Sequence, residues 1–440
     1  MSALRRGFGG GGVIQCTLPG KLRQGAEPVL HLAKSDDAYW MQRALEQAMA
    51  AIGRSHPNPT VGCVIVKEGR LIASGATEVY GGRHAERVAI ESVADRSQLR
   101  GATLYATLEP CSHTGRQPPC ADLVASCGFA RCIAAVGDPN PLVAGRGLRR
   151  LRETGLEVQT GVLGPEAMAW HLPFLFWQIA GRALIAAKWA QTLDGQLAYD
   201  DGRSQWISGE ESRAYTHWLR QKYDAILVGV GTVLADQPAL TVRSCVEPHH
   251  RQPIRLVFDP GARLLSCPEE TWQGVLERTF SSQTPTLLMV RESAVAAARR
   301  EPLPARRLER IEHLVSLPDE LSPSECLRAA LADPSLSARA GRPIHSVMVE
   351  GGPRLISTLA EEGMIDMTHI FTAPILGGGT RFRLQFPAPY GVGVRLHPMA
   401  HARLGEDLLV EYLHPSTQKL LEQLDGGRPV REPVAVSEAA

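Results

Sequence analysis

His84-Ala85-Glu86, then Leu108-Glu109-Pro110-Cys111 and, nine residues further, Cys120 are the residues around which this 440-residue chain is organised. They set one imidazole, one carboxylate and two thiols in order along the sequence. A zinc site that activates water requires that set, because Zn²⁺ takes a neutral histidine nitrogen and two thiolates and keeps a fourth position open. Glu86, two residues past the histidine, is then left to move protons rather than to bind metal. In a chain with 14 histidines and 9 cysteines a lone His-Ala-Glu would be coincidence. The complete ordered set, with Pro110 directly before Cys111, is not.

The neighbouring sequence says where these residues sit. Asp36 or Asp37 can cap a helix on which Tyr39, Met41, Ala44, Leu45, Ala48, Met49 and Ile52 recur at helical spacing, with Gly53 ending it. Val61 to Val66 and Leu71 to Ser74 read as a hairpin turning near Glu68-Gly69. His84 opens a helical pattern through Ile90 and Val93, Thr103 to Thr107 is a strand, and a helix at Pro119–Ser126 and a strand at Arg131–Val136 follow. Such alternation predicts an α/β layered domain. His84 at a helix start and Cys111 at a strand-to-helix junction can face each other, and helix N-termini favour thiolates. The H-x-E … P-C … C order is that of zinc base deaminases, in which a zinc-activated water displaces an exocyclic amine and the glutamate shuttles the proton. Here eight residues separate the two cysteines, against the short spacing in nucleoside and nucleic-acid deaminases. That insert holds His113 and Arg116, suited to a polar or phosphorylated substrate.

The pattern changes around residues 164–182, where Pro165, Pro173 and Gly181 punctuate an apolar segment, and the domain boundary is expected there. A second α/β run has strands at Ala183–Trp189, Ala225–Gly229, Ile254–Phe258, Thr286–Val290, His345–Val349, His369–Pro374 and Leu408–Leu413, and a helix from Glu210 to Lys222. Residues 291–344, rich in Arg, Pro and Ala, read as surface helices and loops. Glu350-Gly351-Gly352-Pro353 after a strand suits a phosphate cradle at a helix start, and Gly229-Val230-Gly231-Thr232 suits either dinucleotide contact or a plain turn. Neither matches the G-x-G-x-x-G fingerprint of a Rossmann fold.

Length predicts two domains. A net charge of +1 argues against a broad nucleic-acid surface. Phe174 to Ala190, the longest apolar stretch, is broken by Gln178, Arg182 and Lys188 and falls short of a membrane span. Nine irregularly spaced cysteines without a secretory signal point to free thiols and a cytoplasmic location. Residues 1–35 are expected to form a disordered arm, with organellar targeting by the basic residues 1–26 as the lesser alternative, and residues 426–440 a flexible tail.

Beyond the zinc set, Pro57-Asn58-Pro59-Thr60-Val61-Gly62-Cys63, Cys111-Ser112-His113-Thr114-Gly115-Arg116-Gln117-Pro118-Pro119-Cys120, Asp138-Pro139-Asn140-Pro141, Leu193-Asp194-Gly195, Ser204-Gln205-Trp206-Ile207 and Gly231-Thr232-Val233-Leu234-Ala235-Asp236 resemble the bifunctional riboflavin-biosynthesis deaminase–reductases, a likeness continuing through residues 36–415. The resemblance implies an α/β chain with a cytidine-deaminase-like α/β/α sandwich (36–180) followed by a dihydrofolate-reductase-like domain (181–425). It implies zinc on His84, Cys111 and Cys120, Glu86 as the catalytic acid–base, and Asn58, His113, Arg116 and Asn140 as substrate contacts in the first half. For the second half it implies NADPH at Ala190, Trp206, Thr232, Asp236 and the stretch Gly352, Pro353, Arg354, Leu355, Ile356, Ser357 and Thr358. Substrate is expected at Ser204, Arg220, Leu240, Arg243 and Glu350, where arginines suit a 5-phosphate. The implied reactions are deamination of a phosphoribosylated diaminopyrimidinone and reduction of its ribosyl to a ribityl chain, in a homo-oligomer that binds neither nucleic acid nor membrane.

Thr77 replaces the family's usual histidine seven residues before His84, and Arg83 its usual small residue; Arg83 is expected to stand in for a phosphate partner. The alternatives are a diverged relative with one active half or another aminopyrimidine substrate, and a structural zinc module, in which Glu86 would have no task.

Overall fold

The structure, a computed structural model, describes residues 36–140, 143–202, 206–243, 251–281, 284–379, 381–384, 386 and 393–422, with the backbone of 14–15. The expected N-terminal arm (that dipeptide aside), the tail and Ser204 lie outside the described residues. Two compact units emerge, Met1–Gly181 with Ser416–Ala440, and Arg182–Pro415.

In the first unit helix α1 (Asp37–Ala50) buries Trp40, Met41, Ala44, Leu45, Ala48 and Met49. Asp36 holds its N-cap position without a side-chain cap bond. Asp37 instead binds Tyr105 Oη at 2.7 Å and the Arg131 guanidinium. Strand β1 (Gly62–Lys67) is buried nearly throughout, and β2 (Arg70–Ala76) pairs with it antiparallel. Their turn has Glu68 and Gly69 at φ of +49° and +69°, the left-handed pair that a two-residue hairpin needs. Helix α2 (Ala85–Glu91) lies directly on β2: a Cβ at Gly75 would stand 2.5 Å from the Ala85 carbonyl oxygen. Only glycine lets the helix that carries the His84-Ala85-Glu86 motif approach so closely.

Strand β3 (Thr103–Ala106), helix α3 (Cys120–Ser126), β4 (Arg131–Ala134), α4 (Arg146–Glu153), β5 (Glu157–Thr160) and α5 (Gly164–Ala180) complete this unit. The sheet order is β2-β1-β3-β4-β5, antiparallel at β2/β1 and β1/β3 and parallel thereafter. The punctuated segment 164–180 is one continuous helix despite Pro173. It is pinned to this unit by Trp170 Nε1 donating to the Thr60 carbonyl at 2.9 Å and by His171 on the Thr107 hydroxyl at 3.0 Å.

The second unit contains β6 (Leu184–Thr192), α6 (Glu210–Arg220), β7 (Ala225–Gly229), α7 (Val230–Asp236), β8 (Ile254–Phe258), α8 (Glu269–Arg278), β9 (Thr286–Arg291), β10 (His313–Leu317), β11 (Ser346–Val349), α13 (Pro353–Glu361), β12 (Met367–Ala373), β13 (His397–Leu404) and β14 (Asp407–Leu413). Helices α9 to α12 fall between β9 and β11, at Glu292–Ala298, Pro302–Leu308, Pro323–Ala332 and Pro334–Arg339. Within the unit the strand order is β13-β14-β12-β6-β11-β7-β8-β9-β10, parallel from β12 to β10. Burial of β7, β8, β9 and β11 on both faces explains their unbroken apolar runs. The reading of 291–344 as helices and loops alone needs correction, since β10 lies within it and closes one edge of the sheet. An edge strand is supported from one side only, so His313-Leu314-Val315-Ser316-Leu317 carries a weak apolar signal.

Candidate functional site

His84 takes the extended N-cap position of α2, and Cys120 is the first residue of α3. Both are thereby delivered at helix starts, and the Cys120 backbone N–H donates to Cys111 Sγ at 3.3 Å. His84 Nδ1 lies 3.5 Å from Cys111 Sγ and 3.4 Å from Cys120 Sγ. Tetrahedral zinc, with Zn–N and Zn–S bonds of about 2.0 and 2.3 Å, would hold such a nitrogen and sulfur about 3.5 Å apart, so the donor set fits zinc. The contact between the two thiols draws Cys111 well below the ordinary thiol range and pushes Cys120 above it. Glu86 is 4 % exposed, and burial, reinforced by the negative charge on Cys111, raises its carboxyl to about 7. Among the described residues no fourth protein donor joins His84, Cys111 and Cys120. Structural zinc sites normally close with four, which weighs against the purely structural module.

Asn58 sits in a turn closed by its N–H to the Ser55 carbonyl at 2.9 Å. Asn140 donates its N–H to Asp138 Oδ1 at 2.8 Å. His113 Nδ1 is buried without a hydrogen-bond partner among the described residues. Arg116 is exposed, with its guanidinium 4.5 Å over the Tyr80 ring. Gln117 Nε2 donates to the Gly81 carbonyl at 3.3 Å, so the insert between the cysteines is stitched to the loop preceding His84. Arg83, expected beside a phosphate, is engaged within the protein. Its fork is taken by Glu78, with contacts of 2.6 and 3.0 Å, and by Glu91 at 3.3 Å. Thr77 spends its hydroxyl on the Val61 backbone. Arg83→Ala should therefore change the KM for substrate by less than about twofold, as expected for an exposed ion pair, in steady-state assays of ammonia release.

In the second unit Ala190, Thr232 and Glu350-Gly351-Gly352 lie at the carboxyl ends of adjacent parallel strands β6, β11 and β7, where open α/β sheets bind ligands. Ala190 lies near the end of β6, Glu350-Gly351-Gly352 follow β11, and Thr232 is in the first turn of α7 after β7. Gly352 N–H donates to Thr232 Oγ1 at 3.2 Å, tying two of these turns together. Gly352 caps α13 and Pro353 opens it. Leu355 and Ile356 are buried in the core, so only their backbone can serve a ligand, and Arg354 is exposed. Ser357 and Thr358 continue the helix, while Asp236 ends α7. Trp206 is 63 % exposed beneath the Arg213 guanidinium. Leu240 is buried at φ +52°, and Arg243, beside it, is exposed.

Arg220 and Glu350, both expected at the substrate, bind each other: Nε to Oε1 at 2.6 Å and Nη2 to Oε2 at 2.9 Å, with Nη1 on the Thr241 carbonyl at 2.8 Å. Burial alone would raise the Glu350 carboxyl, but Arg220, helped by Lys188 and His217, brings it down to about 2. Lys188, a lone cation in the apolar run Leu184-Ile185-Ala186-Ala187-Lys188-Trp189, joins this cluster and has its ammonium pKa lowered by burial. In the sequence it stands only as a break in an apolar stretch, although a lysine in a buried strand is itself a signal. Arg220→Ala strands a buried carboxylate and should cost about 3–5 kcal/mol in denaturant unfolding. Because the folded-state value of Glu350 is depressed, its stabilising contribution is full above the ordinary glutamate range and disappears as pH falls toward about 2. The stability gap between variant and parent should accordingly be widest near neutral pH and narrow in acid.

Residues 34–136 match the model of the cytidine and deoxycytidylate deaminase zinc-binding region, and residues 183–410 match that of the RibD C-terminal domain. Riboflavin biosynthesis protein RibD of Aquifex aeolicus is 36 % identical, over 85 % of this chain and 97 % of its own length. Its namesake from Escherichia coli is 37 % identical, over 80 % and 91 %. Among solved structures, RibD of Acinetobacter baumannii (form 1) superposes with a TM-score of 0.66 at 31 % identity, covering 87 % of this chain and 99 % of that one. A diaminohydroxyphosphoribosylaminopyrimidine deaminase/5-amino-6-(5-phosphoribosylamino)uracil reductase from Thermotoga maritima gives 0.67 at 32 %, covering 86 % and 98 %.

Proposed function

From the premise that the chain belongs to the RibD family of riboflavin-biosynthesis proteins, we propose roles for its individual residues. It is a bifunctional enzyme of riboflavin biosynthesis, a zinc-dependent deaminase and an NADPH-dependent reductase. The deaminase is assigned to residues 36–180 and the reductase to 181–425.

His84, Cys111 and Cys120 would hold zinc, which when bound would supply a water acidified to near neutrality. Glu86, raised to about 7, is poised to take the proton that water gives up and to hand it to the departing amine. Water adds its oxygen to the ring carbon, the carbon–nitrogen bond breaks, and ammonia leaves. Asn58, Asn140 and the His113 nitrogen, which has no hydrogen-bond partner among the described residues, orient the aminopyrimidine, while Arg116, steadied by Tyr80, meets the phosphate. A single observation carries this reading: one imidazole and two thiols at zinc-ligating spacing with a buried carboxylate two residues past the imidazole.

In the reductase, NADPH when bound would supply hydride to C1 of the opened ribosylamine. Thr232, Gly352 and the start of α13 would receive the cofactor, with Ala190, Trp206 and Asp236 completing its contacts. Lys188, Arg220, Arg243 and Glu350 form the polar floor for the phosphorylated sugar, and the Arg220–Glu350 pair holds its geometry before substrate arrives. The test is to supply the phosphoribosyl diaminopyrimidinone and follow ammonia release and NADPH oxidation separately. Both signals are expected, with ammonia preceding NADPH loss; ammonia alone would overturn the assignment of the second unit.

A further inference from the structure

Glu109 belongs to the zinc motif, yet neither metal binding nor proton transfer uses it. It is 4 % exposed, and its own N–H donates to the Val136 carbonyl at 2.9 Å, prolonging the β3–β4 ladder beyond the strands. Its carboxylate is met by backbone N–H groups rather than by a cation. Oε2 accepts from Asp138 at 3.2 Å and from Gly145 at 3.0 Å, and Oε1 accepts from Leu148 at 3.2 Å. Asp138 lies two residues before Asn140; Gly145 and Leu148 are the N-cap and third residue of α4. Gly145, at φ +75°, gives that helix no side-chain cap, so Glu109 supplies one from a distant part of the chain.

A second contact holds the same pieces together. A Cβ at Gly147 would stand 2.0 Å from the Pro110 carbonyl oxygen and 3.2 Å from Glu109 Oε1. The start of α4 is thus seated on the peptide immediately preceding Cys111, and any side chain there would force them apart. Asn140 is tied into the same structure, its carbonyl accepting from Val143 at 2.8 Å and Ala144 at 2.9 Å.

We propose that Glu109 is a positioning residue for deamination: its carboxylate fastens the chain on both sides of Asn140 to the strand end that bears Cys111. The clamp sets where the substrate lies relative to the metal. This rests on the reading of Asn140 as a substrate contact. A glutamine at 109 keeps one acceptor oxygen and aims an NH₂ at backbone donors, so it gives up at least the Leu148 contact and weakens the clamp.

The experiment uses the full-length, zinc-loaded protein with Glu109→Gln, Gly147→Ala and Asn140→Ala. Zinc content, kcat and KM for ammonia release are measured, and NADPH oxidation with the deaminated intermediate reports on the integrity of the other unit. Glu109→Gln should keep its zinc and raise KM about tenfold, the equivalent of one charge-assisted hydrogen bond, with kcat within about threefold. Gly147→Ala, which leaves the carboxylate in place, should shift KM in the same direction. An unchanged KM in both variants, or zinc and kcat lost together at constant KM, overturns the proposal. If Glu109→Gln does not fold, Gly147→Ala decides alone. A raised KM in Glu109→Gln with none in Asn140→Ala retains the clamp and removes Asn140 as the contact; the reverse pattern retains Asn140 and removes the clamp.

Discussion

Glu86→Gln is expected to bind zinc normally and to release ammonia about 10²–10⁴ times more slowly, the usual contribution of a positioned acid–base. The amide fills the same volume but cannot carry a proton between water and leaving amine. Metal content should not change, because the donor atoms are those of His84, Cys111 and Cys120. NADPH oxidation with the deaminated intermediate should also be unaffected, since the reductase residues lie at the strand ends of the other unit. Metal analysis and the two half-assays on one preparation check all three statements. Near-normal ammonia release by this variant would mean that Glu86 is not the proton carrier.

Stripping zinc with a chelator, or replacing His84 by alanine, should abolish ammonia release while leaving NADPH oxidation in place. The two treatments differ in reversibility. The chelated protein keeps its imidazole and thiols already 3.4–3.5 Å apart, so adding zinc should restore activity without refolding. His84→Ala has lost a ligand and should not be rescued. Zinc should also raise the thermal midpoint of the first unit, because a ligand at 100 times its Kd stabilises the folded state by about 2.7 kcal/mol. Calorimetry of the apo and reloaded protein, alongside the assays, tests this.

Much of the first unit was legible because its elements carry strong local signals. The α1 stripe from Trp40 to Met49 is periodic, Glu68-Gly69 is a turn between two apolar strands, and Cys120 begins a helix behind Pro119. Strands at the rims were harder to see. Glu157-Val158-Gln159-Thr160 and His313–Leu317 lie at sheet edges, and His397–Leu404 is outermost within its unit, so none needs two apolar faces. The long helix from 164 to 180 was obscured because Pro165 and Pro173 read as breaks, whereas the first is tolerated in an opening turn and the second is held by packing.

The chemistry of the zinc centre was written in residue types, because a metal that takes one imidazole and two thiolates accounts for His84, Cys111 and Cys120 together. What only the fold could decide was how side chains are spent. Arg83 has the right charge and sits beside the motif, but Glu78 and Glu91 consume it. Arg220 and Glu350, 130 residues apart, are engaged with each other. Glu109 closes onto backbone groups that arrive from 29 to 39 residues later. Charge and donor number are properties of a residue and survive in a one-dimensional list. Which partner satisfies them depends on distances set by sheet order and helix packing, and those exist only once the chain has folded.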